Sequence, residues 1–226
     1  MKHAEFWEWI RLQCQKHAGI IEKRLMDLSG GMHNMANIEH FIPFLIKWEA
    51  GITKRNRESN EALYKRAKEY GWADDPDDSG GQTMVGVTMA TYEEYCRRKG
   101  YPKPTTERLM NLSYNDWKSI LKMLYWDKWK ADEIRSQSIA EIVCDWVWAS
   151  GNYGIKIPQQ LLNVKVDGIV GPKTLEAVNS RNPRELFDMI KIARFDFIEE
   201  ICHKRPANNK FKRGWLNRIN DFIFEL

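Results

Sequence analysis

Two short stretches of this chain hold side chains suited to acid-assisted bond cleavage. The first is Glu49, flanked by Trp48 and by Ala50-Gly51. It falls at the end of an apolar helical run, where the chain must turn. A carboxyl group beside low-dielectric surface keeps its proton to higher pH, which suits a proton donor. A glutamate at a helix end can equally be a solvated acid with no further role. The second stretch is Asp78-Ser79-Gly80-Gly81-Gln82-Thr83. Adjacent glycines let the backbone bend close past a ligand, and Asp78 and Thr83 can then face one cleft. Alone, an Asp-Gly-Gly stretch is most often simply a turn. Together, a helix ending in Glu and a Gly-rich hairpin presenting Asp and Thr make a workable glycosidase set. One carboxylic acid protonates the leaving oxygen, the carboxylate positions water or stabilises oxocarbenium-like charge, and the hydroxyl helps hold the water.

These groups need a frame, and the hydrophobic spacing predicts one that is helical nearly throughout. Residues 4–28 and 38–49 read as amphipathic helices, the second capped by Asn37 and carrying Pro43 in its early turns or at a kink. A short charged helix over 59–70 stops at Gly71. Thr83, Val85 and Val87 suit a short strand or hairpin arm. Thr91 with Glu94, and Ser113 with Asp116, read as capping boxes for helices over 92–99 and 114–129. Ile139, Ile142, Val143, Trp146 and Val147 mark a central apolar helix. Pro158 and Pro172 open two short helices, and Asn182-Pro183 opens a long one reaching about Cys202. A last helix carries Phe211, Trp215, Leu216, Ile219 and Phe222. The fold class is therefore mainly α, with a short β-hairpin or Gly-rich loop near residues 78–88.

Composition narrows the function. The chain has 226 residues, 43% of them apolar and 29% charged, which excludes wholesale disorder. Net charge is +4, from 35 Lys+Arg against 31 Asp+Glu. That excess is too small for a dedicated nucleic-acid binder but tolerates an anionic surface such as bacterial cell wall. No uncharged run is long enough for an integral membrane helix. Glu5, Glu8 and Glu22 interrupt the start of the chain, so it lacks a cleavable signal peptide's layout. Cys14, Cys96, Cys144 and Cys202 read as free buried thiols. The five histidines show no zinc spacing, and there is no GxSxG, Walker or dinucleotide motif. Neither a metal nor an organic cofactor is called for.

Trp126, Trp129, Trp146 and Trp148 are candidates for stacking on sugars, with core burial the competing reading. Trp146 lies on an apolar helix face. Trp126 and Trp129 sit where a helix meets a polar stretch, so partial exposure is expected there, and Trp126 is assigned to substrate. Asp167-Gly168 either lines a muropeptide or glycan site or is a structural turn ahead of the helix at Pro172.

The run Glu49-Ala50-Gly51 … Asp78-Ser79-Gly80-Gly81-Gln82-Thr83-Met84-Val85-Gly86-Val87-Thr88 resembles the E-G-G … D-x-G-G-x-T-x-x-G-[IV]-T signature of glycoside hydrolase family 108, the N-acetylmuramidase and secretion-activator group. Downstream, Asp145 … Gly151 … Gln160-Leu161-Leu162 … Val166-Asp167-Gly168-Ile169-Val170-Gly171-Pro172-Lys173-Thr174-Leu175 is similar to the peptidoglycan-binding segment that follows in that family. The resemblance covers roughly residues 36–200. It implies a lysozyme-like helical fold, with Glu49 as catalytic acid and Asp78 and Thr83 as its partners; Gly80, Gly81, Gln82, Trp126, Asp167 and Gly168 are assigned to substrate from their own positions. The Asp-to-Thr spacing also resembles that of phage lysozymes. Three departures stand out. Ala50 replaces a glycine, so the turn is expected one residue later. Residues 55–71 read as an inserted helix that walls one side of the cleft or displaces Asp78. Residues 1–34 precede the family's usual start.

The expected organisation is an N-terminal helical extension (1–34), a lysozyme-like catalytic part (35–135) and a helical peptidoglycan-binding-like part packed on it (136–226). The expected activity is hydrolysis of the β-1,4 bond between N-acetylmuramic acid and N-acetylglucosamine. A lytic transglycosylase and a non-catalytic wall-binding or secretion-assisting protein are the alternatives. Peptidoglycan glycan strands are the expected partner, and nucleic acid is not. A chain made in the cytoplasm without a cleavable signal needs a holin-like pore or a dedicated exporter to reach the wall.

Overall fold

A computed structural model describes residues 35–74 and 81–225, and Met35–Leu226 forms one compact unit. The helix expected over 4–28, the extension 1–34 and Cys14 lie outside the described residues.

The described chain is mainly α. Helix α1 spans Ile38–Ala50 and α2 spans Asn60–Ala67. Strands β1 (Trp72–Asp74), β2 (Gln82–Met84) and β3 (Val87–Thr88) form one antiparallel sheet in that order. Then come α3 (Met89–Lys99), α4 (Thr106–Met110) and α5 (Tyr114–Leu121). A π-helical turn, Lys122–Trp126, continues α5. Helices α6 (Gln137–Ser150), α7 (Tyr153–Leu161), α8 (Pro172–Ser180), α9 (Pro183–Lys204) and α10 (Asn209–Asn220) complete the chain.

The apolar helix read from Ile139 to Val147 is the middle of the molecule. Along α6, Ile139, Ala140, Ile142, Val143, Cys144, Trp146 and Val147 are all buried, and α1, α7, α9 and the π turn pack on it. Its N-terminal Gln137 is fully used. Its side-chain oxygen accepts from the Asn37 backbone N–H (2.7 Å), while its amide donates to the Asn37 carbonyl (3.0 Å) and to Glu141 (2.7 Å). The start of α1 is thereby tied to the start of α6.

Both internal prolines are handled the same way. A proline inside a helix leaves the carbonyl four residues earlier without its N–H donor. For Pro43 that carbonyl is Glu39, and the Asn60 amide donates to it at 2.9 Å. For Pro158 it is Gly154, and the Trp129 indole donates to it at 3.1 Å. Helix α2, with Asn60 as its first residue, therefore repairs the backbone of α1.

Three sequence expectations need correction. Pro158 does not open its helix; α7 begins at Tyr153, and Trp129 removes the penalty that argued for a boundary. Helix α3 begins at Met89, because the Thr88 hydroxyl, not that of Thr91, caps it by accepting from Thr91 N–H at 3.1 Å. Glu94 is instead bonded to Arg97 and Arg98. Finally, the helix over 114–129 leaves α geometry at Lys122, where the Asp127 N–H reaches the Lys122 carbonyl at 2.8 Å.

If Trp129 substitutes for the N–H that Pro158 lacks, the two positions are coupled. Trp129→Phe is expected to lower stability by about 1–3 kcal/mol through the stranded buried carbonyl. The loss should be smaller in a Pro158→Ala background, where residue 158 regains an N–H. Chemical denaturation of the double-mutant cycle measures the coupling, and purely additive effects would refute it.

Candidate active site

Helix α1 delivers Glu49. Gly51 takes φ +68° and its N–H bonds the Lys47 carbonyl at 3.0 Å, so α1 stays regular through Ala50 and the turn starts one residue later, as the Ala50 departure required. The Glu49 side chain is 17% exposed. Its Oε1 accepts from the Trp148 indole at 2.9 Å and from Arg218 Nη1 at 2.6 Å. Low-dielectric surface is present in Trp148, but a guanidinium shares the site, which the sequence reading did not anticipate.

The other carboxylate oxygen faces the β2–β3 hairpin. Val85 and Gly86 form its two-residue turn, with φ +46° and +74°. That pairing is the left-handed form a tight hairpin needs, and it strains a β-branched residue. Val85 is held there from outside. Its N–H donates to the Gly71 carbonyl at 2.8 Å, its carbonyl accepts from the Trp117 indole at 2.9 Å, and it is fully buried. Gly86 must be glycine for a second reason. A Cβ there would stand 2.5 Å from Glu49 Oε2 and 2.7 Å from the Trp148 ring. The hairpin turn thus closes directly on the Glu49 carboxylate.

Thr83 lies on β2, and its cross-strand partner is Thr88, so both project from one face of the hairpin. The Thr88 hydroxyl bonds that of Thr91 at 3.0 Å, and Thr91 lies 3.4 Å from the Tyr125 hydroxyl. Tyr125 stands on the π turn, a distortion often found at functional sites, and its ring is 4.6 Å from that of Trp148. Burial raises the Tyr125 phenol above its ordinary range, Thr91 opposes this, and the nearby Glu49 charge adds to it.

Behind Glu49 runs a line of alternating charge. Arg218 Nε and Nη2 both donate to Asp145 Oδ1, at 3.0 and 2.7 Å, which leaves Nη1 for Glu49. Asp145 Oδ2 accepts from Arg194 Nη2 at 2.7 Å. The Arg194 guanidinium lies between the rings of Trp146 and Phe222, at 5.7 and 5.3 Å. Asp145 is fully buried. Burial pushes its carboxyl up, but the Arg218 and Arg194 charges outweigh that and hold it below the usual carboxylate range. Arg218, despite burial, is held above its ordinary range by Asp145 and Glu49.

The remaining predicted site residues divide. Asp78 and Gly80 lie outside the described residues. Gly81 has φ +57° with open space around it. Gln82 is committed to the protein, donating to Asp74 at 3.1 Å and accepting from Thr106 at 2.7 Å. Trp126 is a correction. It is fully buried, lies against Phe41 and donates to Asp132 at 2.7 Å, so no face is open to a sugar. Trp129 and Trp146 are likewise buried, and of the four tryptophans only Trp148 reaches Glu49. Asp167 and Gly168 form a self-contained turn. The Ile169 N–H and the Gln159 amide bond Asp167 and hold its carboxyl below the usual range, while Gly168 N–H donates to Gln159 at 2.8 Å.

Another carboxyl has the more unusual acidity. Burial pushes Glu141 up to about 7; the Gln137 amide opposes the rise, and the Glu225 and Asp145 charges add to it. Its bonded partner is Gln137, at the junction with the start of α1, so its acidity bears on stability.

Comparison with known proteins fits this architecture. Residues 62–151 match the family model described as Glycosyl hydrolase 108. Residues 153–220 match the model described as Predicted Peptidoglycan domain. The chain thus carries a glycosyl hydrolase 108 segment followed by a peptidoglycan segment. It is a glycoside hydrolase acting on peptidoglycan. A solved structure of Brucella abortus SagA is similar at TM-score 0.57 and 24% identity, over 70% of this chain and 89% of that one, which shows a shared fold. No curated protein matches the chain. The fold of the hydrolase is mainly α and lysozyme-like. Its hairpin, Tyr125, Asp145 and Trp148 fall in the glycosyl hydrolase segment, Arg218 falls in the peptidoglycan segment, and Glu49 precedes both.

Two expectations follow. Gly86→Ala places a methyl group on the Glu49 carboxylate and strains the turn by about 1–2 kcal/mol. Clearing of purified sacculi should fall roughly tenfold or more while thermal unfolding still shows a folded protein; a parent-like rate would refute the close approach. Glu141 binds its proton more tightly when folded, so its ionisation opposes folding as pH rises from its ordinary 4.5 through about 7. Glu141→Gln should therefore stabilise the hydrolase at pH 8, by up to about 3 kcal/mol, and have little effect at pH 4. Urea denaturation at the two pH values checks the sign.

Proposed function

We propose that the hydrolase cuts the β-1,4 bond between N-acetylmuramic acid and N-acetylglucosamine, with Glu49 as proton donor. The observation that carries this reading is the asymmetric environment of one carboxyl group. Two donors, Trp148 and Arg218, occupy Glu49 Oε1, and Oε2 lies at the turn of the Gly-rich hairpin. Among the described residues no donor is fixed on Oε2, so the proton to be delivered is assigned to that oxygen.

In the proposed reaction, Glu49 Oε2–H protonates the glycosidic oxygen as the bond from that oxygen to the anomeric carbon breaks. The leaving sugar departs with the proton as its new hydroxyl. Positive charge builds on the anomeric carbon and ring oxygen, and water adds there and loses a proton. Asp78 is assigned to the water or to the developing charge, and Thr83 to holding the water. Support for Thr83 is its place on β2, three residues from Gly86, on the same face as Thr88. Trp148 and Tyr125, whose rings lie 4.6 Å apart beside Glu49, offer the aromatic surface a sugar needs.

The test is a turbidity assay on purified sacculi with Glu49→Gln, coupled to product masses. Amide replacement keeps the shape and removes the transferable proton, so clearing should fall by about 10²-fold or more. Products of the parent should carry one added water per cleavage. Anhydro ends in place of added water would identify a lytic transglycosylase. Undiminished clearing by Glu49→Gln would remove Glu49 from the chemistry.

A further inference from the structure

We infer that Arg218 is the positioning residue of the Glu49 acid, so that the last helix of the peptidoglycan segment is a working part of the hydrolase site. This rests on the reading of Glu49 as proton donor.

The sequence places the two residues 169 positions apart, and the fold joins them at 2.6 Å. The contact belongs to a seam. Three successive residues of α1 are bonded to the end of α10 or the residue just after it. Lys47 Nζ donates to Asp221 at 2.8 and 2.7 Å, the Trp48 indole donates to Asp221 at 2.8 Å, and Glu49 accepts from Arg218. Within α10 Ile219 is buried and Trp215 and Leu216 are half-buried against the core. The polar contacts of this seam are what join it to α1.

The guanidinium is itself immobilised. Two of its donors are committed to Asp145, a fully buried carboxylate that Arg194 locks from the far side. A planar guanidinium fixed at two nitrogens presents its third in one direction only. That direction is Glu49 Oε1. The consequence for Glu49 is rotational: with Oε1 anchored by both Arg218 and Trp148, Oε2 is held toward Gly86. Lysine at this position keeps a charge but cannot bond Asp145 and Glu49 in one plane.

The experiment compares full-length parent, Arg218→Met and Arg218→Lys. It measures the rate of clearing against sacculus concentration, binding to sacculi, and thermal unfolding. Arg218→Met is expected to bind as the parent does, with a maximal clearing rate roughly tenfold lower and an unchanged half-saturating concentration. Arg218→Lys should show the same depressed maximum, because the cation remains and the fork is lost. A merely structural role for Arg218 lowers the rate only as far as the folded fraction falls, and weakens binding with it. A parent-like maximum in either folded variant, or a loss of binding that matches the loss of rate, overturns the inference. If Arg218→Met does not fold, Arg218→Lys decides alone, and a parent-like maximum overturns it. The failure of the underlying reading is separate, since it would appear as undiminished clearing by Glu49→Gln.

Discussion

Asp145 is the constraint on which the rest of the site depends. A fully buried carboxylate is several kcal/mol unfavourable unless cations and hydrogen bonds compensate for its lost water. Here both compensating groups come from later in the chain, Arg194 on α9 and Arg218 on α10. The central helix α6 is therefore incomplete without the C-terminal helices: α9 packs directly on it, and α10 is bonded to the Glu49 end of α1. One buried charge thus ties both helices to α6 and fixes which way the Arg218 fork points. The boundary between the two matched segments, near residue 152, runs through a single continuous core.

The hairpin answers a complementary constraint. The Val85-Gly86 turn runs close beside the Glu49 carboxylate, and its left-handed backbone is unfavourable at Val85 and is maintained by bonds from Gly71 and Trp117. Local strain of this kind persists where the surroundings over-determine it. The glycine beside it is required by contact as much as by φ, since the carboxylate occupies the volume a side chain would need. Helix α2 contributes indirectly. Asn60 satisfies the carbonyl that Pro43 leaves open, and α1 carries Glu49 two turns further on.

Much of this was legible in the sequence, for identifiable reasons. Helices with local signals were read well: Asn37 caps α1, Asn182 caps α9, Gly51 and Gly100 end their helices with positive φ. Gly51 also fulfilled the expectation raised by Ala50. The misses share a cause. Pro158 looked like a helix start because its compensating donor, Trp129, is 29 positions away. The π turn has no local signature, so Tyr125 escaped notice. Trp126 was expected at the surface because its neighbours are polar, yet its indole finds Asp132 and its ring finds Phe41. Arg218 sits among ordinary surface cations in a polar helix, and only the fold distinguishes it. Sequence periodicity reports which face of an element is buried; it does not report which distant polar group satisfies a buried one.

The charge line also bears on how an ion-paired glutamate can act as an acid. With Glu49 ionised, two carboxylates face two guanidiniums and the line Glu49–Arg218–Asp145–Arg194 is neutral. With Glu49 protonated, it carries one net positive charge in a poorly solvated place. In the proposed reaction, delivering the proton to the glycosidic oxygen would therefore restore neutrality as the bond breaks. Such an interaction would be stronger in the transition state than in the protonated ground state, which is the condition for accelerating a chemical step. The positive charge that would develop on the sugar is then left to be met by another group. The proposed role of Asp78 meets that need, and a single acid held by Arg218 does not.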